Sequence, residues 1–248
     1  MAKGVTVKPK DRVKLSSYRS SVYGFLARVY QKELTPELLE HLRSPRFVGA
    51  LEELGLQLGD EFTSAAPEEL LEDLAVEYTG LFLGPGGHVS PHESVHRVGG
   101  KPTDVGVLWG AATVEVKKFV ESLGLKYRED AHNIPDHISH EMELMHKVVE
   151  RECEAWKKED TGEALYCLKV EKMFLDGHLV KWIPAFTKKI IDLAERRFYR
   201  EIAEVTRGFI EFEAENIDSY IAELQTASSN QTLNFKEDPA RRHGGRGS

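Results

Sequence analysis

Residues 77–95 read EYTGLFLGPGGHVSPHESV, and this stretch carries the chain out of a helical pattern and into a long loop. The apolar residues before it, from Leu70 to Phe82, recur at helical spacing. The run Gly84-Pro85-Gly86-Gly87 then ends the helix, because proline has no amide hydrogen to donate and glycine disfavours helix. The sequence predicts a loop from Gly84 to Pro102, and so long a loop is uncommon in compact domains unless it has a function.

Most of the chain on either side of this loop has the spacing of amphipathic helices. Thr35 and Pro36 have the residue types of an N-cap and a first helical position. Further helices are predicted around Val105–Leu123, from Ile138, and over Leu165–Val180, with an interruption at Trp182–Pro184. We therefore predict an all-α fold, a single-domain bundle of about 8–10 helices over residues 1–225 with the Gly/Pro loop in its middle. Residues 226–248 are predicted to form a disordered polar tail.

Composition and charge narrow the class of protein. The 248 residues are 41% hydrophobic and 30% charged, with a formal net charge of −8, so the chain has no general attraction for nucleic acid or anionic membrane. Two cysteines, Cys153 and Cys167, do not form a CxxC motif, which favours a reduced cytoplasmic environment. We find no apolar stretch of about 18 residues and no apolar core of a secretory signal near the N-terminus.

The segment 77–95 closely resembles the signature of the TorD/DmsD/NarJ family of redox-enzyme maturation chaperones. That signature is an aromatic-x-x-Leu-Phe helix end, a Gly-Pro loop and a Pro-x-Glu-Ser-Val segment. Two further family elements follow in the family's order, a Pro-Asp-His at Pro135–His137 and a Trp-x-Pro-x-Phe at Trp182–Phe186, with His178 one turn earlier. The chain departs from the signature at His96, where the family usually has tyrosine.

The resemblance implies a cytoplasmic chaperone, and the sequence has no nucleophile–base spacing that indicates an enzyme. We predict no cofactor, and the resemblance leaves binding of a nucleotide or of the molybdenum cofactor open. Such a chaperone would bind the N-terminal signal peptide, often a twin-arginine one, of a molybdopterin oxidoreductase subunit. It would also assist cofactor insertion into the apo form of that subunit and delay its export until folding is complete. The family's peptide-binding residues, carried over to this sequence, are Tyr78, Leu81, Phe82, Asp136 and His137. The resemblance also implies a monomer or a helix-swapped dimer.

Each of these positions also has a structural interpretation. Tyr78, Leu81 and Phe82 lie at the spacing of core residues, and Asp136 can cap free N–H groups at a helix start. A peptide with two arginines and an apolar stretch needs carboxylates beside a hydrophobic groove, so both interpretations suit these residues. The remaining signature residues are predicted to anchor the loop, namely Gly84, Pro85, Pro91, Glu93 and Ser94.

Two rival functions remain open at this point. Glu93-x-x-His96 and Glu143-x-x-His146 have the spacing of a di-iron bundle site, and His88, His92 and His96 have the spacing of a zinc site if their segment is helical. We assign no metal ligand from these patterns, because both Glu93 and His96 fall in the predicted loop. The second rival is a helical scaffold that binds no signal peptide.

Overall fold

The computed structural model describes residues 9–45, 47–49, 58–84, 89–97, 108–126 and 134–236. Within these ranges the chain forms ten α-helices, two of which run directly into a π-helical turn, and no β-strand. The helices are α1 (Pro9–Gln31), α2 (Pro36–Leu42), α3 (Gly59–Ser64), α4 (Pro67–Tyr78), α5 (Glu93–His96), α6 (Ala111–Ser122), α7 (Ile138–Lys157), α8 (Thr161–Phe174), α9 (Val180–Leu193) and α10 (Arg197–Lys236). The π-turns are Thr79–Leu83 after α4 and Leu175–Leu179 between α8 and α9.

Short polar side chains fix several helix starts. The hydroxyl of Thr35 accepts a hydrogen bond from the Leu38 amide at the start of α2, with Pro36 at the first helical position as predicted. The Asp160 carboxylate accepts one from the Glu163 amide, 2.9 Å away, at the start of α8. These caps satisfy N–H groups that have no partner inside their own helix.

The bundle is organised around α7. Helix α1 packs along α7 over most of its length, α8 packs beside α7, and α9 packs against α10. One continuous core of buried apolar side chains runs through these helices and includes Leu26, Met142, Phe174, Trp182 and Ile217. Burial of this apolar surface is the main force that holds helices of such different length together.

A buried ionic cluster joins four of the helices. The guanidinium of Arg19 on α1 is 1% exposed and binds three glutamates, Glu152 on α7, Glu171 on α8 and Glu213 on α10. The indole of Trp156 donates a further hydrogen bond, 2.7 Å long, to Glu152. Because desolvated charges are stable only when paired, this cluster fixes how α1 sits against its neighbours.

The all-α prediction and the helix number are confirmed, and three local predictions differ. The predicted loop contains a one-turn helix, α5, and α9 passes through Pro184 instead of stopping there. The real break lies after Leu193, where the backbone of Ala194 is extended. Helix α10 continues to Lys236, whereas the sequence predicts a polar tail from residue 226. Residues 237–248 lie outside the described ranges, so disorder there stays a prediction.

Candidate functional site

The signature helix ends in a π-turn. Residues Thr79–Leu83 continue α4 with the wider π geometry and stop at Gly84, whose backbone is extended. A Cβ atom at Gly84 would lie 3.3 Å from the carbonyl oxygens of both Thr79 and Gly80, so any other residue would force the turn to shift. Such π-turns are rare and occur frequently at functional sites. Pro85, the other predicted anchor at this point, lies outside the described residues.

The inner face of this turn is part of the core. Tyr78, Leu81 and Phe82 are each at most 6% exposed, and the Tyr78 hydroxyl donates to the Tyr30 carbonyl at 3.1 Å. The Phe82 ring contacts the rings of Tyr78, Tyr30 and Phe186. In this conformation the three predicted peptide-binding residues therefore pack inward, and their contact with a peptide stays a prediction.

The outer face of the same helix end is apolar and exposed. Val76 is 69% exposed, and Leu83, seven residues later at the end of the π-turn, is 64% exposed. Single exposed apolar side chains are ordinary on a protein surface, and these two lie in and just before the signature turn. We call Val76 and Leu83 the outer apolar pair.

The second family element meets the first one directly. Asp136 is fully buried, and its carboxylate accepts a 2.8 Å hydrogen bond from the Ser94 amide, while its carbonyl accepts a 3.0 Å bond from the Glu93 amide. The Pro91 carbonyl accepts a 2.9 Å bond from the Ile138 amide. Asp136 therefore caps the first turn of α5, and the interpretation of Asp136 as a cap of its own helix is wrong. His137 takes that place, because its Nδ1 accepts from the Ser139 amide at the start of α7.

The third family element closes the same site. The π-turn Leu175–Leu179 places His178 so that its Nδ1 donates to the carboxylate of Glu93 at 2.8 Å. One turn later the indole of Trp182 donates to the carboxylate of Glu141 at 3.0 Å. Segments that lie about a hundred residues apart in sequence thus meet around one group of acids, which we call the acid cluster: Glu93, Asp136 and Glu141.

Sequence reasoning did not single out Glu141. It lies on the apolar face of α7, at helical spacing with Ile138, Met142 and Met145, and it is fully buried. A charged residue in the middle of an apolar stripe was the signal that could have identified it, because such a position is normally filled by a hydrophobic side chain.

Burial controls the ionisation of this site. Desolvation is the largest cause that raises the pKa of Glu141 well above its ordinary value, and the negative charges of Glu93 and Asp136 raise it further. Desolvation also lowers the pKa of His137 to about 3, and it lowers that of His92, whose ring contacts His137. At neutral pH His92 and His137 are therefore uncharged, and burial favours the protonated form of Glu141 over the charged one.

His96, the departure from the family pattern, behaves as an aromatic side chain. It is 5% exposed and stacks on Trp182 at a centroid distance of 5.8 Å, with the Phe186 ring on another side. Its Nε2 donates to the Ser90 carbonyl at 2.6 Å. Burial lowers the pKa of His96 to about 4, so the ring is neutral at physiological pH and fills the place of a planar aromatic group.

The predicted metal patterns do not come together. No group of three or more histidine, cysteine or acidic side chains suited to a metal ion occurs in the described part of the chain. Glu93 and His96 do lie in one helical turn, but Glu93 binds His178 and His96 binds a carbonyl group. His88 lies outside the described residues. Glu143 and His146 face a separate cleft.

That cleft lies between α1, α2 and α7 and has a volume of about 790 Å³. Its basic residues are Arg28, His41, His146 and Lys147, and Glu143 is the acidic residue among those that line it. The excess of basic over acidic groups makes it a poor receptor for a cationic peptide.

Comparison with known proteins places these features in context. The profile of the nitrate reductase delta subunit family matches residues 44–188, a range that includes all three elements of the site. A chaperone protein TorD of Vibrio atlanticus is 22% identical over 220 residues, which are 83% of this chain and 97% of that protein. A chaperone protein TorD of Shewanella pealeana is 24% identical over 228 residues, 87% of this chain and 94% of that protein.

A solved structure of a protein from Archaeoglobus fulgidus, described as a redox enzyme maturation protein, aligns with a TM-score of 0.45 and 19% identity. The aligned region covers 78% of this chain and 92% of the chain in that solved structure. None of the helices in the described ranges is long and apolar enough to cross a lipid bilayer.

Proposed function

The chain belongs to the nitrate reductase delta subunit family, the TorD/NarJ family, and on this premise we propose that it is a maturation chaperone for a molybdopterin oxidoreductase. It acts as a binding protein and not as an enzyme. It binds the signal peptide of the catalytic subunit, in many clients a twin-arginine one, before that subunit has its cofactor. It releases the client for export after the cofactor is inserted and the subunit has folded.

The observation that carries this proposal is the meeting of the three family elements at one place. The first element contributes Glu93 and the second contributes Asp136, both members of the acid cluster. The third is preceded by His178, which binds Glu93 directly. Unlike the three glutamates around Arg19, these acids have no fully buried cation among the described residues, and apolar residues of similar volume would stabilise the core as well or better. The arrangement therefore favours a binding role over a purely structural one.

The chemistry around this site suits a signal peptide. Such a peptide has a positively charged segment followed by an apolar one. The outer apolar pair offers exposed apolar side chains near the end of α4, whereas Tyr78, Leu81 and Phe82 are buried there. The neighbouring acids supply negative charge, and the net charge of −8 attracts a cationic peptide over a longer range.

The partners follow from the same proposal. The client is the apo form of a molybdopterin oxidoreductase catalytic subunit, which is met in the cytoplasm before export. The chaperone acts as a monomer or as a helix-swapped dimer, and it needs no cofactor and no nucleic acid.

Calorimetric titration with synthetic leader peptides tests the proposal. The peptides are the leaders of molybdoenzymes encoded by the same genome, each with a matched peptide of the same composition in scrambled order. We expect selective binding of at least one leader with a Kd in the micromolar range or below. Binding of none of these leaders, or equal binding of a leader and its scrambled form, contradicts signal-peptide recognition and favours the scaffold.

The substitution Asp136→Ala gives a second arm. Asp136 caps α5, so the variant loosens the segment that carries Glu93 as well as removing a charge. We expect weaker peptide binding with a smaller dependence on salt concentration. Unchanged affinity and unchanged salt dependence would assign Asp136 a capping role alone.

A further inference from the structure

The cleft between α1, α2 and α7, which we call the basic cleft, is separate from the acid cluster. None of the three acids lines it, and its volume of about 790 Å³ lies within the range of sites that hold drug-sized ligands. Because its lining residues are different, any occupant must be recognised by different chemistry from that of a cationic leader.

Aromatic rings form part of the lining of the basic cleft. Phe25 on α1 and Phe47 after α2 both line it, and their rings meet edge to face with 5.2 Å between the centroids. The ring of His41 on α2 lies against Phe47 at a centroid distance of 5.3 Å. Phe47 is only partly buried, so it offers apolar surface to a side chain that enters the cleft.

One wall of the basic cleft is held in place by the packing of α1 on α7. Nδ1 of His146 donates to the carbonyl of Ser20 at 2.8 Å, and a Cβ at Gly24 would lie 3.1 Å from the same nitrogen. His146 therefore fits only because position 24 has no side chain. A ring fixed in this way loses little freedom when a ligand binds, so this wall is preformed.

Two cations line the basic cleft from different helices, Arg28 from α1 and Lys147 from α7. Nε of Arg28 donates to the carbonyl of Gly24 at 3.3 Å, and no carboxylate among the described residues pairs with its guanidinium. Lys147 pairs with Glu150 at 3.3 Å, but both side chains are more than half exposed, and such pairs contribute little. Both cations are thus open to an anionic partner.

Helices α1 and α7 run antiparallel, and two hydrogen bonds fix their register. The carbonyl of Val13 accepts from the thiol of Cys153 at 3.6 Å, and the carbonyl of Ser20 accepts from His146 at 2.8 Å. A step of seven residues forward along α1 is thus matched by a step of seven residues back along α7.

This register sets the distance between the two cations. Arg28 lies eight residues after Ser20, so it is level with the first residue of α7, whereas Lys147 lies next to His146. The cations are therefore separated by about nine residues, or about 13 Å along the helix axes. One phosphate or carboxylate group cannot contact both. An extended peptide rises about 3.3 Å per residue, so side chains four positions apart match the spacing.

We propose that the basic cleft binds an extended peptide segment with two acidic residues four positions apart and an apolar residue midway between them. Alternate side chains of an extended chain point to the same side, so all three can enter the cleft together. The acids pair with Arg28 and Lys147, and the apolar residue packs on the rings of Phe25 and Phe47. Glu143, which also lines the cleft, opposes binding because it repels the same acids. Such a segment is a second partner, opposite in charge to a cationic leader and independent of it.

Three fluorophore-labelled peptides test the spacing when their anisotropy is measured with the full chain. Their central sequences are Glu-Ala-Phe-Ala-Glu, Ala-Glu-Phe-Glu-Ala and Gln-Ala-Phe-Ala-Gln, each between the same Gly-Ser flanks. We expect the first to bind with a Kd on the order of 100 μM or below. The second has the same composition with its acids two positions apart and should bind roughly 3-fold more weakly, and the uncharged third roughly 10-fold more weakly.

Substitutions in the cleft test the residues. Lys147→Gln and Arg28→Gln should each lower the affinity for the first peptide by roughly 2- to 5-fold, and Glu143→Gln should raise it by a similar factor. Lys157→Gln is the matched control, because Lys157 lies on the same helix, outside the cleft, in a similar exposed pair with a glutamate three residues away. It should leave the affinity unchanged. All four side chains are exposed, so each variant keeps the fold.

Several outcomes would overturn the proposal. These are equal binding of the three peptides, equal affinities of Lys147→Gln and Lys157→Gln, or weaker binding by Glu143→Gln. Displacement of the labelled peptide by pyrophosphate at a lower concentration than the unlabelled peptide requires would assign the cleft to a phosphate ligand instead. None of these results bears on the proposed function, because no leader is present, and a failure of leaders to bind leaves the basic cleft unaffected.

Discussion

Arg19 near the start of the chain and Glu213 near its end form a buried two-point ion pair, with Nε of Arg19 2.8 Å from Oε1 and 2.9 Å from Oε2 of Glu213. Both side chains are at most 1% exposed. The pair links the first and last helices of the bundle, and Glu152 and Glu171 extend it to α7 and α8. The packing of α1 therefore depends on a polar interaction as well as on hydrophobic contacts.

Removal of this arginine should be strongly destabilising. Arg19→Ala leaves three buried glutamates without the cation that binds them, so we expect the free energy of unfolding to fall by about 3–5 kcal/mol. Urea unfolding followed by circular dichroism measures the change. Arg28→Ala on the exposed side of the same helix is the control and should cost less than about 1 kcal/mol. Equal effects of the two substitutions would show that the ionic cluster does not hold α1 in place.

Stability should decrease as the pH rises from 6.5 to 8. Burial raises the pKa of Glu171 from 4.5 to about 8, although the positive charge of Arg19 opposes this shift and the negative charge of Glu152 adds to it. Burial also raises the pKa of Glu141. The folded state therefore binds protons that the unfolded state has lost, and this stabilisation disappears as the pH rises through the folded pKa.

The buried histidines act in the opposite direction but only at lower pH. Burial lowers the pKa of His96 to about 4 and that of His137 to about 3. The stabilisation that comes from keeping these rings neutral is therefore fully present above pH 6.5, and it is lost only as the pH falls towards those values. Urea unfolding between pH 6.5 and 8 should give a negative slope of up to about 1.4 kcal/mol per pH unit for each buried acid. Glu171→Gln should reduce the slope, and a flat or rising profile in the unmodified chain would contradict the assignment.

Substitutions at His96 should follow ring shape. His96→Ala removes a ring that packs on Trp182 and Phe186, with an expected loss of about 2–3 kcal/mol. His96→Tyr restores the residue usual in the family and keeps an aromatic ring there, so we expect it to be the more stable of the two variants. It also removes a buried base, so its stability relative to the unmodified chain should increase as the pH falls from 6.5 towards 4. Thermal unfolding at three pH values measures both effects.

Two glycines should respond oppositely to alanine. A Cβ at Gly24 in α1 would lie 3.1 Å from Nδ1 of His146, whose ring is held by a 2.8 Å hydrogen bond to the Ser20 carbonyl. Gly24→Ala should therefore destabilise the protein by roughly 1–2 kcal/mol. Gly208 in α10 has open space around its Cβ position, so Gly208→Ala should stabilise by about 0.5–1 kcal/mol through helix propensity. Chemical denaturation measures the free energy of unfolding of both variants. A Gly24→Ala variant more stable than the unmodified chain would show that the contact between α1 and α7 can relax.

Much of the fold could be predicted from periodicity and from glycine and proline. The spacing of apolar residues predicts helices α4 and α7, and the Gly-Pro run predicts the end of the first of them. These features are local, because each depends on residues within one or two turns. The one-turn helix α5 could not be predicted in the same way, since it forms only where Asp136, more than forty residues away, caps it.

The resemblance to a chaperone family also rests on the sequence alone, and it correctly predicted the family and the class of function. It did not predict the state of the site residues. Tyr78, Leu81 and Phe82 satisfy the spacing of a core and of a groove wall equally well, and the packing of Phe82 against Phe186 places them inside. Glu141 was missed because burial and neighbouring carboxyl groups, not residue type, give it unusual chemistry.

The sequence by itself therefore determined the helical architecture, the position of the central turn and the family, because these follow from short-range patterns of residue type. Only the tertiary structure decided which ionisable side chains lie next to one another in the core. It brings Glu93, Asp136 and Glu141 together from three segments and leaves two of their oxygens without a donor among the described residues. The physical reason is that the ionisation and hydrogen bonding of a buried acid depend on the groups around it in space, which no local pattern specifies.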